Sequence, residues 1–115
     1  MPIDRDTTSF TGNGNSTPIR IDEKQEVGNK ATVAFSIAGT WRGVTAKLQM
    51  CADPTASPQT WVDVTSASYT ANVADTWELA LGCHFRVNIS GAGSPLPSLT
   101  LVTVREVTHG GSTDY

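Results

Sequence analysis

The 115-residue chain contains no apolar run near the roughly 18 residues that a membrane-spanning helix needs. It has only two histidines, two cysteines and 8 basic residues. Each scarcity removes a class of function. Without a spanning run, no membrane partner is expected. Phosphate binding needs clustered Lys and Arg, and here they are scattered under a net charge of -3, so nucleic acid is not an expected partner. Cys51 and Cys83 show no CxxC spacing and no neighbouring His cluster, so no metal and no cofactor are expected. By strand parity the two thiols tend toward different faces, and they are expected to be free. Residues 1–6 are polar and lack the hydrophobic segment of a signal peptide, which leads to an expectation of cytoplasmic synthesis.

Catalytic groupings are also missing, so the chain is not expected to be an enzyme. Nucleophilic catalysis needs a base beside Ser, Cys or Thr and a third group that orients the base. His109 lies in a tail of small polar residues, and His84 lies on the polar side of an alternating run. Asp4, Asp6, Asp22, Glu23 and Glu26 do not have calcium-loop spacing. Asp63, Asp75 and Glu78 form no particular carboxylate pair for glycoside hydrolysis. No glycine-rich loop leads into a helix, so there is no phosphate cradle.

What the chain does have is alternation with a period of two. Ile19 and Ile21 alternate with Arg20 and Asp22. Val33, Phe35 and Ile37 share one face of the next run, with Thr32, Ala34, Ser36 and Ala38 on the other. That second face is small rather than charged, which suits a covered surface. Val44, Ala46, Leu48 and Met50 oppose Thr45, Lys47 and Gln49, and Phe85, Val87 and Ile89 oppose His84, Arg86 and Asn88. Alternation of this kind marks half-buried antiparallel strands. Further strands are expected over 60–65, 73–81 and 98–107. A charged connection, 22–29, has room for one helical turn.

Six or seven strands separated by Gly- and Pro-rich turns, with no convincing helix, imply an all-β fold: an antiparallel β-sandwich, jelly-roll-like. The expected division is an N-terminal arm over 1–17, a sandwich over 18–107 and a flexible C-terminal tail over 108–115. Two readings fit the arm: a frayed terminus, or a segment that orders on a neighbouring molecule. Ile3 and Phe10 are its only large apolar side chains.

The three tryptophans are either plugs for the core or platforms for a ligand. Trp41 lies between Gly39 and Gly43, which suggests a bend with the indole turned back over a sheet end. Trp61 opens a strand and suits an edge or a loop contact. Trp77 shares parity with Leu79 and Leu81, so it is expected in the core.

The segments GTWRGVTAKLQMCAD, QTWVDVT, LGCHFRVNISGAG and SLTLVTV together resemble a pattern seen in small β-sandwich proteins of tailed bacteriophage virions. The matching positions are 43–49, Asp53, 60–64, Gly82, 85–87, 91–93 and 99–104, so the resemblance spans roughly 35–107. Two departures stand out: prolines follow Asp53 where the pattern has Gly-Gly, and Cys83 replaces a small or aromatic residue. The resemblance implies a capsid decoration (cement) protein that binds major capsid subunits, as a dimer or trimer, on the outer surface of the virion. Its alternatives are a neck, tail or head-fibre accessory of the virion or, in a different class, a carbohydrate-binding module. For the docking reading, Ile3, Phe10 and Tyr115 are the candidate partner-binding anchors, because aromatic and apolar side chains dominate interfaces.

Overall fold

A computed structural model describes residues 3–21 and 30–106. These residues form nine strands: β1 (Ile3–Phe10), β2 (Gly14–Asn15), β3 (Ile19–Arg20), β4 (Lys30–Thr40), β5 (Thr45–Cys51), β6 (Val62–Tyr69), β7 (Val73–Ala80), β8 (His84–Ser90) and β9 (Ser98–Glu106). No helix occurs among the described residues. One sheet has the order β1-β9-β4-β7, and the other runs β2-β8-β5-β6 with β3 also on β8.

β2 and β3 act as one broken edge strand along β8. Between them Ser16 stands in for the ladder: its backbone N–H donates to the Val87 carbonyl at 2.8 Å, and its hydroxyl oxygen accepts the Val87 N–H at 2.9 Å. Pro18, which has no N–H to offer, falls in the interruption, the position an edge strand tolerates. With this pair taken as one strand, the chain pairs first with last, second with seventh, third with sixth and fourth with fifth. That nesting of antiparallel pairs across two sheets is the jelly roll.

The core lies between the sheets and is built from the alternating positions. Val33, Phe35, Ile37, Leu99 and Leu101 come from one sheet, and Ala46, Leu48, Phe85, Val87 and Ile89 come from the other. Each large side chain moved out of water contributes about 1.5–3 kcal/mol. Within the first sheet Phe35 stacks on Trp77 at 3.7 Å between centroids and 10° between planes, and across the gap it meets Tyr69 of the facing sheet at 5.5 Å.

The expected arm needs correcting. Residues 3–10 are an edge strand that pairs with β9 at every position, from Ile3 opposite Glu106 to Phe10 opposite Leu99. The strand escaped pattern reading because its inward positions are Asp4, Asp6, Thr8 and Phe10, so alternation is absent. An edge strand can hold carboxylates inward, where they also discourage pairing with a stranger. Asp4 finds Arg105 at 3.7 Å, and Arg105 donates to the Arg20 carbonyl of the other sheet at 2.7 Å. The expected helical turn over 22–29 and the tail over 108–115 lie outside the described residues.

Candidate functional site

The three anchor residues go to different places. Phe10 is 5% exposed and belongs to the core, so it has no face left for a partner. Ile3 is 55% exposed at the start of β1. Tyr115 lies outside the described residues.

The tryptophans do not form a row. Trp77 is buried, and its Nε1–H donates to the Tyr69 hydroxyl at 3.0 Å, which satisfies the polar atom that burial would otherwise strand. Trp41 is half-buried, and its Nε1–H donates to Asn72 Oδ1 at 2.8 Å; the same oxygen accepts the Gly39 N–H at 3.0 Å. Asn72 thereby fastens the end of β4 to the β6–β7 connection. Asn72→Ala is expected to lower stability by about 1–2 kcal/mol, since two donors lose one acceptor; a urea midpoint unchanged from the parent would contradict this.

Trp61 is half-buried with the Arg86 guanidinium 4.3 Å above its ring. Arg86 Nε–H donates to Gln49 Oε1 at 2.8 Å, Gln49 Nε2–H donates to Asp63 Oδ1 at 3.0 Å, and Lys47 Nζ lies 3.5 Å from Asp63 Oδ2. The Gln49 amide, assisted by Lys47, holds the exposed Asp63 carboxyl below its ordinary value. This chain of contacts covers the outer face of the β8-β5-β6 side, where strand register puts Asp63, Gln49 and Arg86 side by side. Its donors and acceptors are largely spent on each other.

The outer face of the β1-β9-β4-β7 sheet is different. Register places Thr7, Val102, Ser36 and Ala74 in one row. A second row holds Arg5, Val104, Ala34 and Thr76, and a third holds Ser9, Thr100 and Ala38. Among the described residues no charged side chain occurs in the middle of this face; Arg5 and Glu78 stand at its rim. A solvated outer face normally carries long polar side chains, so four adjacent strands of Ala, Ser, Thr and Val are unusual.

The third feature is a groove of about 660 Å³ between the sheets at the side where β6 and β7 are the edges. Leu48, Met50, Val64, Trp77, Leu79 and Phe85 are part of its apolar lining, and Asp63, Asp75 and Glu78 are the only charged lining residues among those described. A bulge opens it. Gln49 pairs with Asp63 and Lys47 with Ser68, so residues 64–67 face Leu48 alone. Ser66 sits at φ 69°, a left-handed conformation that a non-glycine residue adopts only under local constraint.

No family model, curated protein or solved structure matches the chain. Its surfaces are therefore interpreted on their own chemistry. Among the described residues no group of His, Cys, Asp and Glu is arranged to hold a metal ion. Cys51 and Cys83 are free thiols. Cys51 is fully buried at the end of β5, opposite His84, in the same register as Lys47 and Gln49.

The small-residue face had a signal in the sequence, the run of Thr32, Ala34, Ser36 and Ala38. The groove had none, because it arises from the bulge in β6 and from two edges brought together by the roll.

Proposed function

We propose that the protein is a structural component of a tailed-phage virion, a capsid decoration protein that docks on major capsid subunits and stabilises the head. The observation that carries the proposal is the small-residue outer face through Thr7, Val102, Ser36 and Ala74, whose charged residues stand at the rim. Small side chains let a second surface approach the sheet closely, and the lack of charge in the middle lowers the desolvation cost of docking. The jelly roll is a fold of viral capsid proteins as well as lectins and cupins, which supports the virion reading by analogy alone.

Four strands spaced by about 4.8 Å and about six residues long present roughly 400 Å², half of a standard interface side. A single contact of that size is weak. Cementing does not need a strong one, because each copy bridges sites that are already neighbours and the contacts act together. Homo-oligomerisation as a dimer or trimer on the shell would add area.

The test is reattachment to purified heads lacking the protein. The parent is expected to bind in hundreds of copies. Ser36→Arg, in the middle of the face, is expected to reduce attachment at least about tenfold, because it buries an unpaired charge. Asn88→Arg, on the opposite outer face, should attach like the parent. Equal attachment by the two variants removes the face from the proposal. A dozen copies or fewer would favour a neck, tail or head-fibre accessory. The carbohydrate-binding alternative calls for open aromatic rings; a fluorescence change with a glycan that is lost in Trp61→Ala would favour it.

A further inference from the structure

The groove between β6 and β7 lies on a different side of the molecule from the small-residue face and calls for a different partner. We propose that it receives an extended peptide segment with alternating apolar and basic side chains, which adds as a strand to the free edge of β7. Three observations meet here.

The first is shape. The groove runs between two edge strands and passes, through the shared residues Met50 and Val62, into a second hollow of about 350 Å³ beneath the 52–60 loop. Val62, on that path, is a large apolar side chain left 59% exposed. A long apolar channel of this kind suits a chain rather than a compact small molecule. β7 is eight residues long, about 26 Å of edge at strand rise, enough for a segment of ordinary strand length.

The second is charge. Asp63, Asp75 and Glu78 stand along the groove, Asp75 on the inward parity of Trp77 and Asp63 and Glu78 at the outer rims of the two edge strands, and among the described residues no basic side chain lines it. Asp63 is already engaged by Gln49 and Lys47, and Thr32 donates to Glu78 at 2.7 Å. Asp75 stands exposed in register with the buried Phe35. Carboxylates set around an apolar lining favour a ligand that brings cations with its apolar side chains.

The third is the state of the edge. Among the described residues β7 pairs only with β4, so every second residue turns its N–H and C=O away from the sheet. The Thr76 N–H is held by the Asp75 carboxylate at 2.8 Å. Asp75 thus caps the edge against indiscriminate pairing. A Lys or Arg from an incoming strand would draw this carboxylate onto itself and free the Thr76 N–H for the new ladder. The cap makes edge addition conditional on positive charge, which is a specificity device as much as a binding one.

The experiment uses the full chain with two fluorescein-labelled octapeptides, one alternating lysine and valine and one alternating glutamate and valine, read by anisotropy. The lysine peptide is expected to bind at low salt and to weaken as salt rises. The glutamate peptide is expected not to bind. Asp75→Asn combined with Glu78→Gln should weaken the lysine peptide at least about tenfold while keeping the near-ultraviolet dichroism of the Trp77 stack. Thr76→Pro, which removes the edge N–H, should weaken it as well. The proposal is overturned by no binding of the lysine peptide, by equal binding of both peptides, or by folded variants that bind like the parent. It is also overturned if the free chain dimerises in sedimentation and Thr76→Pro abolishes the dimer, since the occupant is then a second copy of this chain.

Discussion

Trp77→Ala is expected to lower unfolding stability by about 3–5 kcal/mol, a large share of the roughly 5–15 kcal/mol typical of a domain. Three losses combine. The Phe35 ring loses a partner stacked at 3.7 Å, the Tyr69 hydroxyl loses the indole N–H at 3.0 Å, and a cavity opens where the two sheets meet. The cavity opens onto the groove, so water can enter and relieve part of the cost, which favours the lower end of the range. Trp61→Ala is the control. Trp61 sits half-buried under Arg86, and an exposed cation–π contact is worth about 0.5–1 kcal/mol. Urea unfolding of both variants checks the contrast. Equal losses would show that the indoles do not differ in structural weight.

Gly39→Ala is expected to cost at least about 3 kcal/mol, although it adds a single methyl group. Gly39 has φ 140°, a conformation that L side chains rarely adopt. A Cβ at this position would lie 2.1 Å from the Ser98 carbonyl oxygen and 3.1 Å from the Leu99 Cα. Both are backbone atoms of β9, the strand that Gly39 pairs with, so no side chain can swing away. The backbone must separate at the β4–β9 pairing, where the Gly39 N–H is also held by Asn72. The expected result is a large fall in the thermal midpoint with the sheet content of the folded state retained. Gly12→Ala provides the comparison, because a Cβ there meets nothing within 4 Å. A Gly39→Ala protein as stable as Gly12→Ala would contradict the close approach.

Much of the fold was legible because its central strands are amphipathic. The run from Thr45 to Cys51 and the run from His84 to Ser90 alternate cleanly, and each is paired on both edges. Trp77 was placed in the core by parity with Leu79, and it is there. β1 was missed because Ile3 and Phe10 lie seven positions apart, on opposite faces of the strand, so no alternation links them. Phe10 was thereby assigned to a partner when its partner is Leu99. Parity gave Cys51 a direction and not a degree of cover, and it is fully buried.

The candidate site was less legible than the fold. The small-residue face could be glimpsed in Thr32, Ala34, Ser36 and Ala38, but its extent depends on Thr7, Val102 and Ala74 lying beside Ser36. Those neighbours come from strands far apart in the chain, and only register brings them together. The groove depends on the number of residues that Leu48 faces across the ladder, which local sequence does not specify.

The sequence by itself determined that the chain is all-β, that it folds around the apolar positions of its alternating strands, and that one strand carries small side chains on its second face. These are local properties, set by side-chain period and composition. The tertiary structure decided which strands are neighbours, where the two edges meet, and that residues 3–10 close a sheet. Those outcomes follow from long-range pairing, whose free energy belongs to two segments at once and so cannot be written in either one alone.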